Sequence, residues 1–204
     1  MAIKNLNSVP NQDVTSGCGL VVFSHGKETG PWGTKIKHLA SIAQAAGWQI
    51  LSVDYSAVTG QADAPAADRL AALLAYPLPA HNKLALVGSS MGGWVSAAAC
   101  AALQPQGLFL MAPALDLPGY PAIDASAWCA EMDTEIVHGW RDDVVPPSGS
   151  IGLAQHQRAR LHLLDDDHRL SATLPEIGLL FTQFLGRLQC GPPLMLLTSK
   201  SPSG

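Results

Sequence analysis

Six short apolar runs, separated by longer stretches with helical spacing, constrain this chain more than any other feature. Gly19–Ser24 reads GLVVFS, is apolar at nearly every position and stops at His25-Gly26. A run without polar alternation suits a strand covered on both faces. Five more runs read as strands: Trp48–Tyr55, Lys83–Gly88, Gly107–Met111, Thr134–His138 and Arg160–Leu164. Helical stretches lie over Thr34–Ala46, Asp63–Tyr76, Gly92–Leu103, Ser150–Ala159 and, after the last strand, Thr173–Leu188. Such alternation predicts an α/β fold with right-handed crossovers and a mostly parallel sheet flanked by helices on both faces. Ligands of these sheets sit beyond the carboxyl ends of the strands, so every strand-to-helix loop points at one rim.

The helices carry their own signals. Ile36, Leu39, Ala40 and Ala43 share a face of the first, with Thr34 as its cap and Gly47 as its stop. Asp63 is a candidate N-cap for the second, whose Leu70, Leu73 and Leu74 take core spacing. In the last helix Thr173 and Glu176 read as a capping box, and Ile177, Leu180, Phe181, Phe184 and Leu188 face the core. Pro113–Asp133, with Leu117, Tyr120 and Trp128, is too short for a large lid but long enough to wall a pocket. The reading is one domain over 1–204, with its core at 19–188 and a loosely held tail at 189–204.

Composition narrows the function. Apolar residues make up 48% of the 204 and charged residues 14%, which excludes intrinsic disorder. Twelve Lys plus Arg against sixteen Asp plus Glu leave a net charge of -4, no footing for nucleic acid or an anionic membrane surface. No run of 18 apolar residues predicts a membrane span, and the N-terminus lacks an apolar run behind a basic start. Cys18, Cys100, Cys129 and Cys190 are far apart and form no cluster with histidine. They read as free thiols of a reducing cytoplasm, with no metal site and no cofactor expected.

Three segments carry chemistry. Gly88-Ser89-Ser90-Met91-Gly92 has the G-x-S-x-G spacing, with an apolar strand before it and an alanine-rich helix after it. A nucleophilic serine at so tight an elbow needs near-absent side chains two residues either side, and the following helix aims its first amides at a developing oxyanion. His138–Pro146, HGWRDDVVP, ends the fifth strand, and either Asp142 or Asp143 is a candidate to orient an imidazole. Asp165-Asp166-Asp167-His168 follows the last strand and puts a candidate general base on the same rim, beside three acidic residues. Ser, Asp and His in that chain order mark one hydrolase class. At the end of the first strand, an amide of the His25-Gly26-Lys27 loop is placed to complete an oxyanion hole with the amide of Met91.

From Gly19 to Leu188 the chain resembles α/β-hydrolase-fold serine hydrolases. Ser90 matches the family nucleophile, HGWRDDVVP resembles HGxxDxxVP and so points to Asp142, DHRL resembles the histidine loop at His168, and SHGK resembles the oxyanion loop. Two antiparallel strands that often open the fold have no counterpart before Gly19, and no cap domain is inserted. The likeness is therefore to small lidless bacterial carboxylesterases and dienelactone-hydrolase-like members, although dienelactone hydrolases proper use cysteine where this chain has Ser90. The resemblance implies cleavage of a small ester or thioester by Ser90, His168 and Asp142, with the oxyanion held by the amides of Lys27 and Met91 and with a small-molecule acyl substrate as partner. Rival readings are another reaction on the same triad (peptidase, lyase or perhydrolase) or a mainly partner-binding protein.

Overall fold

Six parallel strands order the molecule. The computed structural model describes residues 19–61 and 63–189. The strands are β1 (Leu20–Ser24), β2 (Gln49–Ser52), β3 (Leu84–Ser89), β4 (Gly107–Met111), β5 (Asp133–Gly139) and β6 (Arg160–Leu164). They form one sheet in the order β2-β1-β3-β4-β5-β6, and all five pairings are parallel. The helices are α1 (Thr34–Ala45), α2 (Tyr55–Thr59), α3 (Ala66–Ala75), α4 (Met91–Leu103), α5 (Ser148–Gln157) and α6 (Leu174–Gln189), with a 3-10 turn at Ala125–Ala127. Among the described residues no helix is long and apolar enough to cross a membrane.

The pleat sorts each strand's side chains into two cores. Leu20, Val22, Leu84, Leu86, Leu108, Leu110 and Ile136 pack beneath α3, α4 and α5. Val21, Phe23, Ala85, Val87, Phe109, Met111 and Val137 pack beneath α1 and α6. Period-2 alternation puts successive residues on opposite faces, and both faces are covered, which is why these runs are apolar throughout. On the second face Phe181 of α6 meets Phe109 at 5.1 Å and Phe23 at 6.5 Å between ring centroids. Arg187, near the end of α6, bonds Asp133 at 2.6 Å and also Glu135, pinning the helix to the start of β5.

Local chemistry moved several boundaries. The second strand ends at Ser52, not Tyr55, because the Asp54 carboxylate accepts from the Ala57 amide and starts α2. Helix α3 begins after Pro65, not at Asp63. A residue ahead of proline is pushed out of the helical region, so no helix runs through Ala64. Its buried face is Ala66, Arg69 and Leu73, whereas Leu74 is 42% exposed. Gly33 occupies the cap position of α1, with Thr34 already helical. Thr173 forms no capping box, since its hydroxyl donates to Asp166. Leu180 is only half-buried, while the other four predicted core residues of α6 are buried. Cys100 and Cys129 are free thiols, and burial pushes the Cys100 thiol up. Cys18, Cys190 and the tail from 190 lie outside the described residues.

Phe181→Ala is expected to lower unfolding free energy by about 3–5 kcal/mol, the usual loss for a fully buried phenylalanine. Leu179→Ala, at a 66% exposed position of the same helix, should change it by less than about 0.5 kcal/mol. Urea midpoints at constant slope measure both.

Candidate active site

The junction of β3 and α4 allows no side chain where the backbone folds on itself. A Cβ on Gly88 would stand 2.3 Å from the Gly92 carbonyl oxygen, and one on Gly92 would stand 2.0 Å from the Ser24 carbonyl oxygen. Between them Ser90 adopts φ 55 and ψ -123. That conformation is unfavourable for a residue with a side chain and persists only when its surroundings over-determine it. They do so here: the Ser90 amide donates to Met111 at 3.0 Å, and its carbonyl accepts from Gly93 at 2.8 Å and from Ala114 at 3.0 Å.

The structure brings Ser90, His168 and Asp142 into one relay. The Ser90 hydroxyl stands 2.9 Å from His168 Nε2, and His168 Nδ1 stands 2.7 Å from Asp142 Oδ2. A carboxylate only accepts, so Nδ1 carries the proton and Nε2 is the acceptor for the serine hydroxyl. The Asp142 side chain has no exposure and that of His168 has 18%. Asp143, the neighbouring candidate, is exposed and outside the relay.

Asp142 is held from several directions. Its Oδ1 accepts from the amides of Val144 at 3.0 Å and Val145 at 2.7 Å. Its Oδ2 is shared between His168 and a second, fully buried histidine, His138, at 3.1 Å. His138 Nε2 also faces the Val145 carbonyl at 2.9 Å, and its Nδ1 faces the Ser150 hydroxyl at 2.7 Å. Both partners of Nε2 are acceptors, so Nε2 donates and Nδ1 accepts from Ser150. Burial pushes the His138 pKa below 6.5 despite the acceptors around it, which keeps this ring neutral.

The three acidic residues before His168 have separate tasks. Asp165 pairs with Arg141 at 2.9 Å in open solvent, a contact of little energetic weight. Asp166 is buried and accepts from the amide and the hydroxyl of Thr173 at 2.8 and 2.9 Å, closing the loop that carries His168 onto the start of α6. Burial pushes its carboxyl up, yet the bonds from Thr173, Asp167 and Ala172 outweigh this and hold it below the usual carboxylate value. Asp167 accepts from the Arg169 amide at 2.8 Å.

Met91 opens α4, and Lys27 lies in the loop after β1 with its side chain in solvent. Gly26 lies beside Ser90, since a Cβ on it would stand 3.4 Å from Ser90 Cβ. Neither the Lys27 nor the Met91 amide donates to a loop or cap acceptor among the described residues. The connection after β4 walls a cavity of about 190 Å³ with α4 and α5, lined by Trp94, Leu115, Ile123 and Leu153 among others. Sequence reasoning passed over His138, Asp166 and Arg69. A charged residue on the apolar stripe of α3, between Ala66 and Leu73, was the available signal for Arg69.

No protein-family model and no curated protein sequence matches the chain. Solved structures do. A protein of the alpha/beta hydrolase superfamily from Xanthomonas campestris pv. campestris is 30% identical, with 83% of this chain and 98% of that one covered and a TM-score of 0.72. Est1E from Butyrivibrio proteoclasticus is 18% identical over 84% of this chain and 88% of its own, with a TM-score of 0.68. A dienelactone hydrolase from Anabaena variabilis is 18% identical over 85% and 88%, with a TM-score of 0.66. Identity and coverage at the level of the Xanthomonas protein place the chain in the α/β-hydrolase superfamily.

Acid should unfold the protein partly through His138. A histidine whose folded pKa is depressed contributes stability that is complete above its unfolded value of about 6.5 and is lost as pH falls through the folded value. His138→Gln should therefore flatten the decline of urea stability between pH 7.5 and pH 5.5, while lowering stability at pH 7.5. An unchanged slope would show that the His138 pKa is the same in the folded and unfolded chain.

Proposed function

We propose that the protein is a serine hydrolase that cleaves a small ester or thioester through an acyl-enzyme. The observation that carries this reading is the relay from Ser90 Oγ through His168 to a fully buried Asp142, with the serine at the N-terminus of α4. In the first half-reaction Ser90 Oγ attacks the acyl carbonyl while His168 Nε2 takes its proton. Asp142 stabilises the imidazolium and keeps Nδ1 protonated. The negative oxygen of the tetrahedral intermediate is held by the amides of Met91 and Lys27, the first aided by the positive end of the α4 dipole. Collapse expels the alcohol or thiol, which receives the proton from His168. Water then attacks the acyl-Ser90 ester by the same steps and releases the acid.

Each residue has one role: Ser90 is the nucleophile, His168 the base and then the acid, Asp142 its orienting partner. No cofactor or metal enters this scheme. The free thiols of Cys100 and Cys129 fit a reducing cytoplasm. The short Pro113–Asp133 connection and the absence of an inserted cap among the described residues favour a small acyl substrate over a lipid aggregate.

A fluorophosphonate should label Ser90 stoichiometrically. Ser90→Ala should lose the label and about 10⁴-fold or more of kcat on the best of a panel of p-nitrophenyl esters, acyl thioesters and lactones. Asp142→Asn should lose about 10⁴-fold, as expected when the imidazole is held in the wrong tautomer. Asp143→Asn should stay within about twofold, because an exposed neighbour of the relay contributes only a screened charge. Full activity in Ser90→Ala overturns the reading, and a larger loss in Asp143→Asn than in Asp142→Asn overturns the assignment of the acid.

A further inference from the structure

Helix α3 carries an arginine where its apolar stripe calls for a leucine. Arg69 has no solvent exposure. A buried guanidinium is tolerated only where its fixed fork of donors meets acceptors. Arg69 Nε donates to the Ala64 carbonyl at 3.1 Å, at the start of its own helix. Its NH1 reaches across the chain to the carbonyls of Gly26 at 3.2 Å and His25 at 3.4 Å. Arg69 Cζ stands over the Tyr55 ring, 5.5 Å from its centroid, and the Tyr55 hydroxyl meets that of Ser24 at 2.6 Å. His25 adds a second donor to the same oxygen, its Nδ1 standing 2.7 Å from the Gly26 carbonyl. Since a carbonyl only accepts, Nδ1 carries the proton.

The Gly26 carbonyl belongs to the peptide group whose N–H is that of Lys27. A trans peptide is planar, with its C=O and N–H pointing in opposite directions, and the described chain contains no cis bond. Fixing the carbonyl toward Arg69 and His25 therefore fixes the N–H on the opposite side of the peptide, in a loop where a Cβ on Gly26 would stand 3.4 Å from Ser90 Cβ. Donation to the carbonyl also polarises the amide and strengthens its N–H as a donor. We propose that Arg69, assisted by His25, is a positioning residue for the reaction: it aims and polarises the Lys27 amide toward the oxyanion formed at Ser90. This rests on the serine-hydrolase reading above.

The geometry concerns a bond that strengthens in the transition state, so its loss falls on kcat and spares KM. Arg69→Met keeps most of the side-chain volume and removes the donors. Its kcat on the best ester should fall about 10²–10³-fold, the loss typical of one missing oxyanion donor. KM should move less than about threefold, and affinity for an alkylboronic acid, whose adduct with Ser90 is tetrahedral, should fall in step with kcat. His25→Phe leaves Arg69 in place and should lower kcat and boronate affinity about tenfold. Thermal unfolding and circular dichroism establish that each variant is folded at the assay temperature. A folded Arg69→Met with kcat within threefold of the parent, or a loss confined to KM, overturns the proposal. Where Arg69→Met does not fold, an unchanged kcat and boronate affinity in His25→Phe overturns it. Wild-type protein that neither turns over an ester nor takes fluorophosphonate on Ser90 refutes the serine-hydrolase reading itself, whatever the variants do.

Discussion

The contact between Gly92 in the first turn of α4 and the carbonyl oxygen of Ser24 at the end of β1 is the constraint on which the site depends. A single added Cβ would stand 2.0 Å from that oxygen. The close approach ties two structures that chemistry requires to be neighbours. One is the elbow, where Ser90 sits at φ 55 between β3 and α4. The other is the loop from His25 to Lys27, which leaves β1 beside it. A strained residue of this kind costs on the order of 1–3 kcal/mol and must be held by its surroundings. The holding bonds come from β4 and the segment after it, through Met111 and Ala114. The elbow is thus clamped by both strands adjacent to β3 in the sheet.

Around that clamp the protein spends its buried polar groups on aiming other groups. Asp142 is fixed by two amides and a neutral histidine before it touches His168. Asp166 closes the loop bearing His168. Arg69 fixes the Gly26 peptide. Each of these side chains is buried, and a buried polar group without partners costs about 1–3 kcal/mol, more when charged. Such groups therefore hold rigidly to their partners, and the rigidity is transmitted to Ser90, His168 and Lys27. The exposed charges nearby, such as the Arg141–Asp165 pair, have no comparable leverage because water competes for them.

The legible part of this structure was the local part. The apolar runs of β1, β3, β4 and β5 marked their strands because both faces of the sheet are covered there, and G-x-S-x-G marked the elbow because the close approaches admit only glycine. The second strand was read one residue early and three residues late: Leu51 and Val53 suit a strand, but Asp54 captures the Ala57 amide and starts a helix. The stripe on α3 was read one position off, since a rule that expects leucines inside discards an arginine. Arg69 and its acceptors on the His25 loop lie 43 and 44 residues apart, and no periodicity encodes a contact at that range. His138 was hidden in another way. It sits within a strand that reads as core, and only the fold shows that its outer nitrogen reaches Asp142. The three aspartates before His168 looked alike in sequence, yet one is solvated, one closes the loop and one turns the backbone.

The order of the strands also sets how the relay is built around β4, which supplies no member of it. Ser90 follows β3 and Asp142 follows β5, and β4 lies between the two strands. Two strand spacings come to roughly 10 Å, more than any direct bond between serine and aspartate. The imidazole of His168 spans this gap from the loop after β6, three strands from Ser90. Beyond the end of β4 the chain runs Met111-Ala112-Pro113-Ala114, with Ala112 at φ 42. All four residues are buried. The amide of Ala114 meanwhile returns to hold the Ser90 carbonyl. The turn after β4 thus serves the relay as one of the clamps on the elbow.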